Sequence, residues 1–319
     1  MSGAPSARAA KAAAFLIARF VLVLVGALAF VELLLWAAPG DAIDLVPNGL
    51  ELRSALSSEW GLDRPLPVRI GQRLLDASRG DLGESLIVRP GASVLSLTMA
   101  SALRSVWLLF PALMLSMGTA FLLAYSEQGR ARLATGLVQA VSTVPVFLLA
   151  WCGVFALNSV AFWLMERGLI ARPGWFALPL SDSSVRTALA ITALGVGSGV
   201  LSGAHTELSA EMRRLLQGPM VFGLRARGTP IARHLVSNLL APLASLAASR
   251  LTFLLGGLVI VETVLLCNGA GSLLWQATLG RDYPLAAGLT LAAAAVVSSG
   301  RLLSELVQLI VDPRLQERP

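Results

Sequence analysis

Residues 20–38 read FVLVLVGALAFVELLLWAA. A helix crosses hydrocarbon with about 20 mostly apolar residues, and this run sits inside a longer apolar stretch, 14–38. Arg19 lies near its start, where a long side chain can reach the interface. A cleaved leader has a shorter apolar region of about 7–15 residues, so the stretch is expected to remain as a spanning helix. Five more stretches qualify on the same grounds: 104–126, 133–160, 185–204, 239–267 and 285–311. The expected fold class is therefore all-α and polytopic, with about six transmembrane helices.

Composition agrees. Of 319 residues, 55% are hydrophobic and only 14% charged, where a soluble domain carries about a quarter charged residues. Mean hydropathy is +0.73. An ordinary soluble enzyme and a disordered chain are both excluded. The net charge of +6 does not call for nucleic acid, because the cations punctuate the apolar runs as topology signals do. With the N-terminus inside, the inner segments hold Arg8, Lys11, Arg130, Arg132, Arg213, Arg214, Arg225, Arg227, Arg233, Arg314 and Arg318. The two short outer loops hold Arg167, Arg172 and Arg281. Both termini are expected in the cytoplasm.

These spans divide the chain into 1–38 (N-terminal segment and first span), 39–102 (an extracytoplasmic loop or cap), 103–311 (a core of five spans containing an inner loop, 205–238) and a tail, 312–319. In the long loop, LRSALSSEW (52–60) is expected to form a short helix, and Val68 to Ala77 another after the turn fixed by Pro65 and Pro67. The inner loop carries QGPMVFGLRARGTP (217–230). Gly218 breaks the preceding helix, Pro219 suits a first helical turn, and Gly228, Thr229 and Pro230 stop the next. The two turns between present Met220, Val221, Phe222 and Leu224 beside Arg225, Ala226 and Arg227. Such a bracketed helix suits docking into a partner's groove; the same pattern also fits a helix lying on lipid headgroups.

Several chemistries are missing. The one lysine, Lys11, stands between alanines, so the Gly-Lys-Ser/Thr phosphate loop cannot form. Cys152 and Cys267 have no metal-type spacing and read as buried thiols. GVGSGVLSG (195–203) fails as a serine elbow, since Ser198 has Val196 and Val200 two residues away; its small residues read as a close helix–helix contact. No metal or cofactor site is expected. Charges within spans are default functional candidates: Arg250 and Glu262 in the fifth, Arg301 and Glu305 in the sixth. The latter two, four apart, can pair on one face. A stand-alone carrier or channel using Arg250 and Glu262 is the alternative to a subunit that needs a mate.

Seven short elements in order carry a resemblance: WGLDRPLPVRIGQRLLDASRGDLGES (60–85), STVPVF (142–147), LRARG (224–228), VIVETVL (259–265), GAG (269–271), GRDYPL (280–285) and DPR (312–314). Over nearly its whole length the chain resembles the membrane permease subunits of peptide and nickel ABC importers, the subunit type with a long first external loop. The resemblance implies the type I importer permease fold in a bacterial inner membrane. It also implies a second, different permease, one or two cytoplasmic ATPases that bind ATP and Mg, and an extracytoplasmic substrate-binding protein. By position, Met220, Val221, Phe222, Leu224, Arg225, Ala226, Arg227 and Gly228 meet the ATPase. Asp63, Arg64, Pro65, Asp81 and Gly83 lie near the binding protein or gate. Such a chain is a transport subunit and not itself an enzyme.

Overall fold

A computed structural model describes residues 4–37, 43, 57–58, 61, 63–126, 132–169, 183–228 and 231–311. All but Ser57 and Ser58 of the expected helix at 52–60, most of the loop before Asp63 and the DPR motif fall outside these residues. Among the described residues there are eleven α-helices: α1 (Ala4–Ala37), α2 (Leu66–Ser78), α3 (Val94–Ser126), α4 (Arg132–Ser142), α5 (Val146–Glu166), α6 (Ser183–Val196), α7 (Val200–Leu216), α8 (Pro219–Ala226), α9 (Ile231–Val264), α10 (Ala270–Leu279) and α11 (Tyr283–Val311). Five carry spans of sufficient length and apolarity: Ala14–Leu34, Val94–Ser126, Val146–Glu166, Asn238–Val264 and Tyr283–Ile310. The pair α6 and α7, bent by 47°, makes a sixth if it is one span.

The span expected at 104–126 starts ten residues earlier, at Val94, so the end of the expected 39–102 loop is helix. Two further expected spans have different bounds, for one physical reason. The apolar run 133–160 is interrupted after Ser142, and α5 starts only at Val146 behind Pro145. The run 185–204 is interrupted at Gly197–Gly199. Ser198 takes a φ of 52° and Gly199 a φ of 76°, a left-handed region that costs a side-chain-bearing residue about 1–2 kcal/mol. The two breaks satisfy each other. Ser198 N–H donates to the Val144 carbonyl at 2.9 Å and Gly199 N–H to that of Ser142 at 2.6 Å. In return Ser198 Oγ accepts from Val146 N–H at 3.0 Å, and Ser142 Oγ from Ser202 N–H at 2.9 Å. Hydropathy does not register such an interruption, because the residues remain small or apolar through it. The expected close contact is present as well: a Cβ on Gly195 would come within 2.8 Å of the Ala112 carbonyl oxygen.

The chain divides into two compact units, Met1–Ser105 with Asn268–Ser298, and Val106–Cys267 with Ser299–Pro319. In the first, Val94, Ala277, Leu285, Ala286 and Leu289 form the core, with Leu82, Val88 and Leu97 packed on it. In the second, one apolar cluster joins Leu109, Ala112, Val146, Leu194, Leu254 and Val261. Another joins Met117, Leu201, Leu208, Met212 and Leu239. The inner loop is mostly helix: α7 continues to Leu216, α8 follows after two residues, and α9 resumes at Ile231. One expectation fails outright. Cys152 is exposed and Cys267 half-exposed, because a spanning helix turns apolar side chains to its surroundings as readily as to its neighbours.

Candidate functional site

Helix α8 is built as its sequence dictates. Gly218 is extended at the N-cap and Pro219 fills the first position, where a missing N–H costs nothing. Val221 is buried and anchors the helix, whereas Met220 and Phe222 are 61% and 65% exposed. Arg225, Ala226, Arg227 and Gly228 are exposed too, and Leu224 is half-buried. The preceding helix ends on Arg213 and Arg214, cations that suit the negative end of its dipole. Arg213 Nε donates to the Ser209 carbonyl and Arg214 pairs with Glu211 at 2.6 Å. Val221 is the one buried side chain of this short helix, which lies between two longer ones in the chain.

Arg250, on α9, is 7% exposed. Its guanidinium pairs with Glu207 on α7, and its Cζ lies 5.6 Å from the Phe253 ring centroid. Gly203 makes room for it: a Cβ there would stand 2.7 Å from Arg250 Nη1. The pair therefore joins α7, which leads into α8, to α9, which leaves it. Glu262 is fully buried, and its backbone carbonyl accepts from Cys267 N–H at 2.8 Å. Arg301 is exposed and Glu305 half-buried one turn on along α11. His205, buried on α7, has Gln139 Nε2 at 2.9 Å from Nδ1 and Ser209 Oγ at 3.1 Å from Nε2. With the amide donating to Nδ1, the ring donates from Nε2. That is a filled polar niche. Among the described residues no group of three His, Cys, Asp or Glu is placed to hold a metal ion.

The loop motifs meet in the first unit. Pro65 caps α2, its carbonyl accepting from Val68 and Arg69 N–H. Arg64 donates to Gln72 Oε1 at 2.6 Å, and Asp81 Oδ1 accepts from Gly83 N–H at 2.8 Å. Asp63 is exposed. Arg64, Asp81 and Gly83 all line a cleft of about 280 Å³, together with Arg69, Arg73 and Pro284. In the same unit Asp282 of GRDYPL is fully buried. Its Oδ2 accepts from Ser85 Oγ at 2.5 Å and from the Ile87 and Val88 N–H groups at 3.1 and 3.0 Å. Its Oδ1 accepts from Leu285 N–H at 3.3 Å in the first turn of α11. One carboxylate thus closes the 85–88 turn and caps a spanning helix.

Sequence reading missed three acids here: Asp282, Glu207 and Glu32. Glu32 stands in plain view in the opening stretch, as the only charge among its apolar neighbours. It is fully buried and paired with Arg69 at 3.2 Å and Arg73 at 3.4 Å, both on α2. Burial lowers the Arg73 pKa from its ordinary value, and the Glu32 carboxylate opposes that.

Comparison with known proteins now adds to this geometry. Residues 112–317 match the family described as binding-protein-dependent transport system inner membrane component. A putative peptide permease protein of Brucella ovis is 29% identical, over 89% of this chain and 92% of its own length. A probable peptide ABC transporter permease protein of Sinorhizobium fredii is 27% identical, over 90% and 93%. The oligopeptide transport system permease protein AppB of Bacillus subtilis is 24% identical, over 95% and 99%. With five or six candidate spans among its described residues and a family match over residues 112–317, this chain belongs to the binding-protein-dependent transport system inner membrane components.

Proposed function

We propose that the chain is one permease half of an ATP-driven importer for peptides or related small solutes, with both termini in the cytoplasm. The observation that carries this reading is α8. It is anchored through Val221 and turns Met220, Phe222, Arg225 and Arg227 outward, the mixed apolar and cationic face that a groove on a cytoplasmic ATPase would receive. The names of the relatives support peptides as cargo. A second permease completes the pathway, a binding protein delivers substrate to the outer face, and one or two ATPases bind ATP and Mg.

This chain's own part is mechanical. ATPase closure displaces α8. Its neighbours α7 and α9, cross-tied by Glu207 and Arg250, carry that displacement into the spans.

The test is a gentle-detergent pull-down of the tagged chain from its native membranes, with mass spectrometry of the proteins retained and a vanadate-sensitivity measurement of peptide uptake. A second permease with ATPases, and uptake stopped by vanadate, is the expected result. A chain recovered alone, with flux that follows an ion gradient and ignores vanadate, would overturn the reading in favour of a carrier.

A further inference from the structure

The first span packs weakly, with only 6% of its apolar window buried. Its two buried side chains among the described residues are Leu28 and Glu32, one turn apart on one face. Facing them, Arg69 and Arg73 are also one turn apart, on α2. Each guanidinium faces its own carboxylate oxygen: Arg69 Nη2 donates to Oε2 at 3.2 Å, whereas Arg73 Nε stands 3.4 Å from Oε1 as an ion pair without a hydrogen bond. The Arg69 guanidinium also lies 5.9 Å from the Tyr283 ring centroid, at the start of α11.

A buried carboxylate on a spanning helix is costly unless cations meet it in good geometry. An apolar contact between two helices tolerates sliding; a buried carboxylate hydrogen-bonded to one cation and ion-paired with a second, one turn along the same helix, favours one register. We propose that Glu32 is a positioning residue, and that Glu32, Arg69 and Arg73 form an ionic latch making α1 and α2 move as one body. The exposed face of α2, with Val68 and Leu75, thereby keeps a set orientation on the first span. The inference concerns the chain alone and holds whichever solute is carried.

The experiment is a double electron–electron resonance measurement on the full chain in nanodiscs, with Cys152 and Cys267 replaced by serine. Spin labels stand at the exposed positions Leu22 on α1 and Leu75 on α2. A single narrow distance is expected for the latched protein, and Glu32→Gln should abolish it in favour of a broad distribution. Because that variant leaves both cations without their shared carboxylate, the triple variant Glu32→Gln, Arg69→Gln, Arg73→Gln is measured beside it. It strands no charge, and it too should lose the narrow distance while keeping a thermal midpoint close to the parent's. A narrow distance retained in the folded triple variant, or a lowered midpoint with unchanged distance, would overturn the latch. Failure to recover ATPases in the pull-down would leave this result standing, so the two ideas fail separately.

Discussion

Replacing Asp282 by alanine removes one acceptor from four donors at once. Three contacts are short, Ser85 Oγ at 2.5 Å and the Ile87 and Val88 N–H groups at 3.1 and 3.0 Å; the fourth, Leu285 N–H at 3.3 Å, is weaker. A hydrogen bond to a charged group contributes about 1.5–3 kcal/mol, and a buried donor left without an acceptor costs about 1–3 kcal/mol. Losses within one network do not add fully. Water also reaches a turn whose residues are partly exposed. Taking the low end for each short bond puts the local loss at about 3–5 kcal/mol. The loss falls on the opening of 85–88, so hydrogen exchange is the assay, read by mass spectrometry on the protein in nanodiscs. Exchange through local opening follows the opening equilibrium, so the Ile87 and Val88 amides should speed up by about two to three and a half powers of ten. Asp282→Asn keeps one acceptor but turns an NH₂ toward donors, and should fall between. A folded Asp282→Ala protein with unchanged exchange at both amides would refute the claim that this carboxylate holds the turn.

Three other outcomes follow from residues already described. Gly203→Val should lower stability by about 1–3 kcal/mol, seen as a lower thermal midpoint in detergent, because its Cβ would meet the Arg250 guanidinium at 2.7 Å; removing the guanidinium with Arg250→Met should relieve most of that clash. Gly199→Ala should cost about 1–2 kcal/mol through its φ of 76°, with little change in contacts. Arg225→Glu, on the exposed face of α8, should leave the assembled transporter bound to its ATPase partners weakly or not at all; normal substrate-stimulated ATP turnover in that variant would contradict the assigned role.

Local signals were readable where local chemistry decides the structure. Gly218, Pro219 and Gly228 bracket α8 in the sequence as they do in the fold; α2 forms where a helix from Val68 was expected but starts two residues earlier, at Leu66, with Pro67 in its first turn and not in an extended one. Long-range pairings were not readable. Glu32 meets Arg69 at a separation of 37 residues, and Asp282 meets Ser85 at a separation of 197; no periodicity carries that information. Glu207 was hidden for another reason. The segment from 205 is assigned in the sequence to an inner loop whose helix before Gly218 has no stated start; α7 in fact runs unbroken from Val200 to Leu216, and that continuity is what turns Glu207 toward Arg250. The breaks after Ser142 and at Ser198 were concealed by apolarity, since hydropathy counts side chains and is blind to where backbone hydrogen bonds end.

Those two breaks have a consequence for how this sequence can change. In hydrocarbon a backbone N–H without an acceptor is barely tolerated, and here each interruption supplies what the other lacks: Ser198 and Gly199 N–H groups go to the Val144 and Ser142 carbonyls, while Val146 and Ser202 N–H groups go to the Ser198 and Ser142 hydroxyls. A single deletion that straightened the chain at Ser198 would strand donors at Val146, and straightening at Pro145 would strand those at Ser198 and Gly199. Insertions or deletions at the two places are therefore viable only as a matched pair, and a hybrid that takes 142–147 from one parent and 195–203 from another inherits the mismatch in its interior.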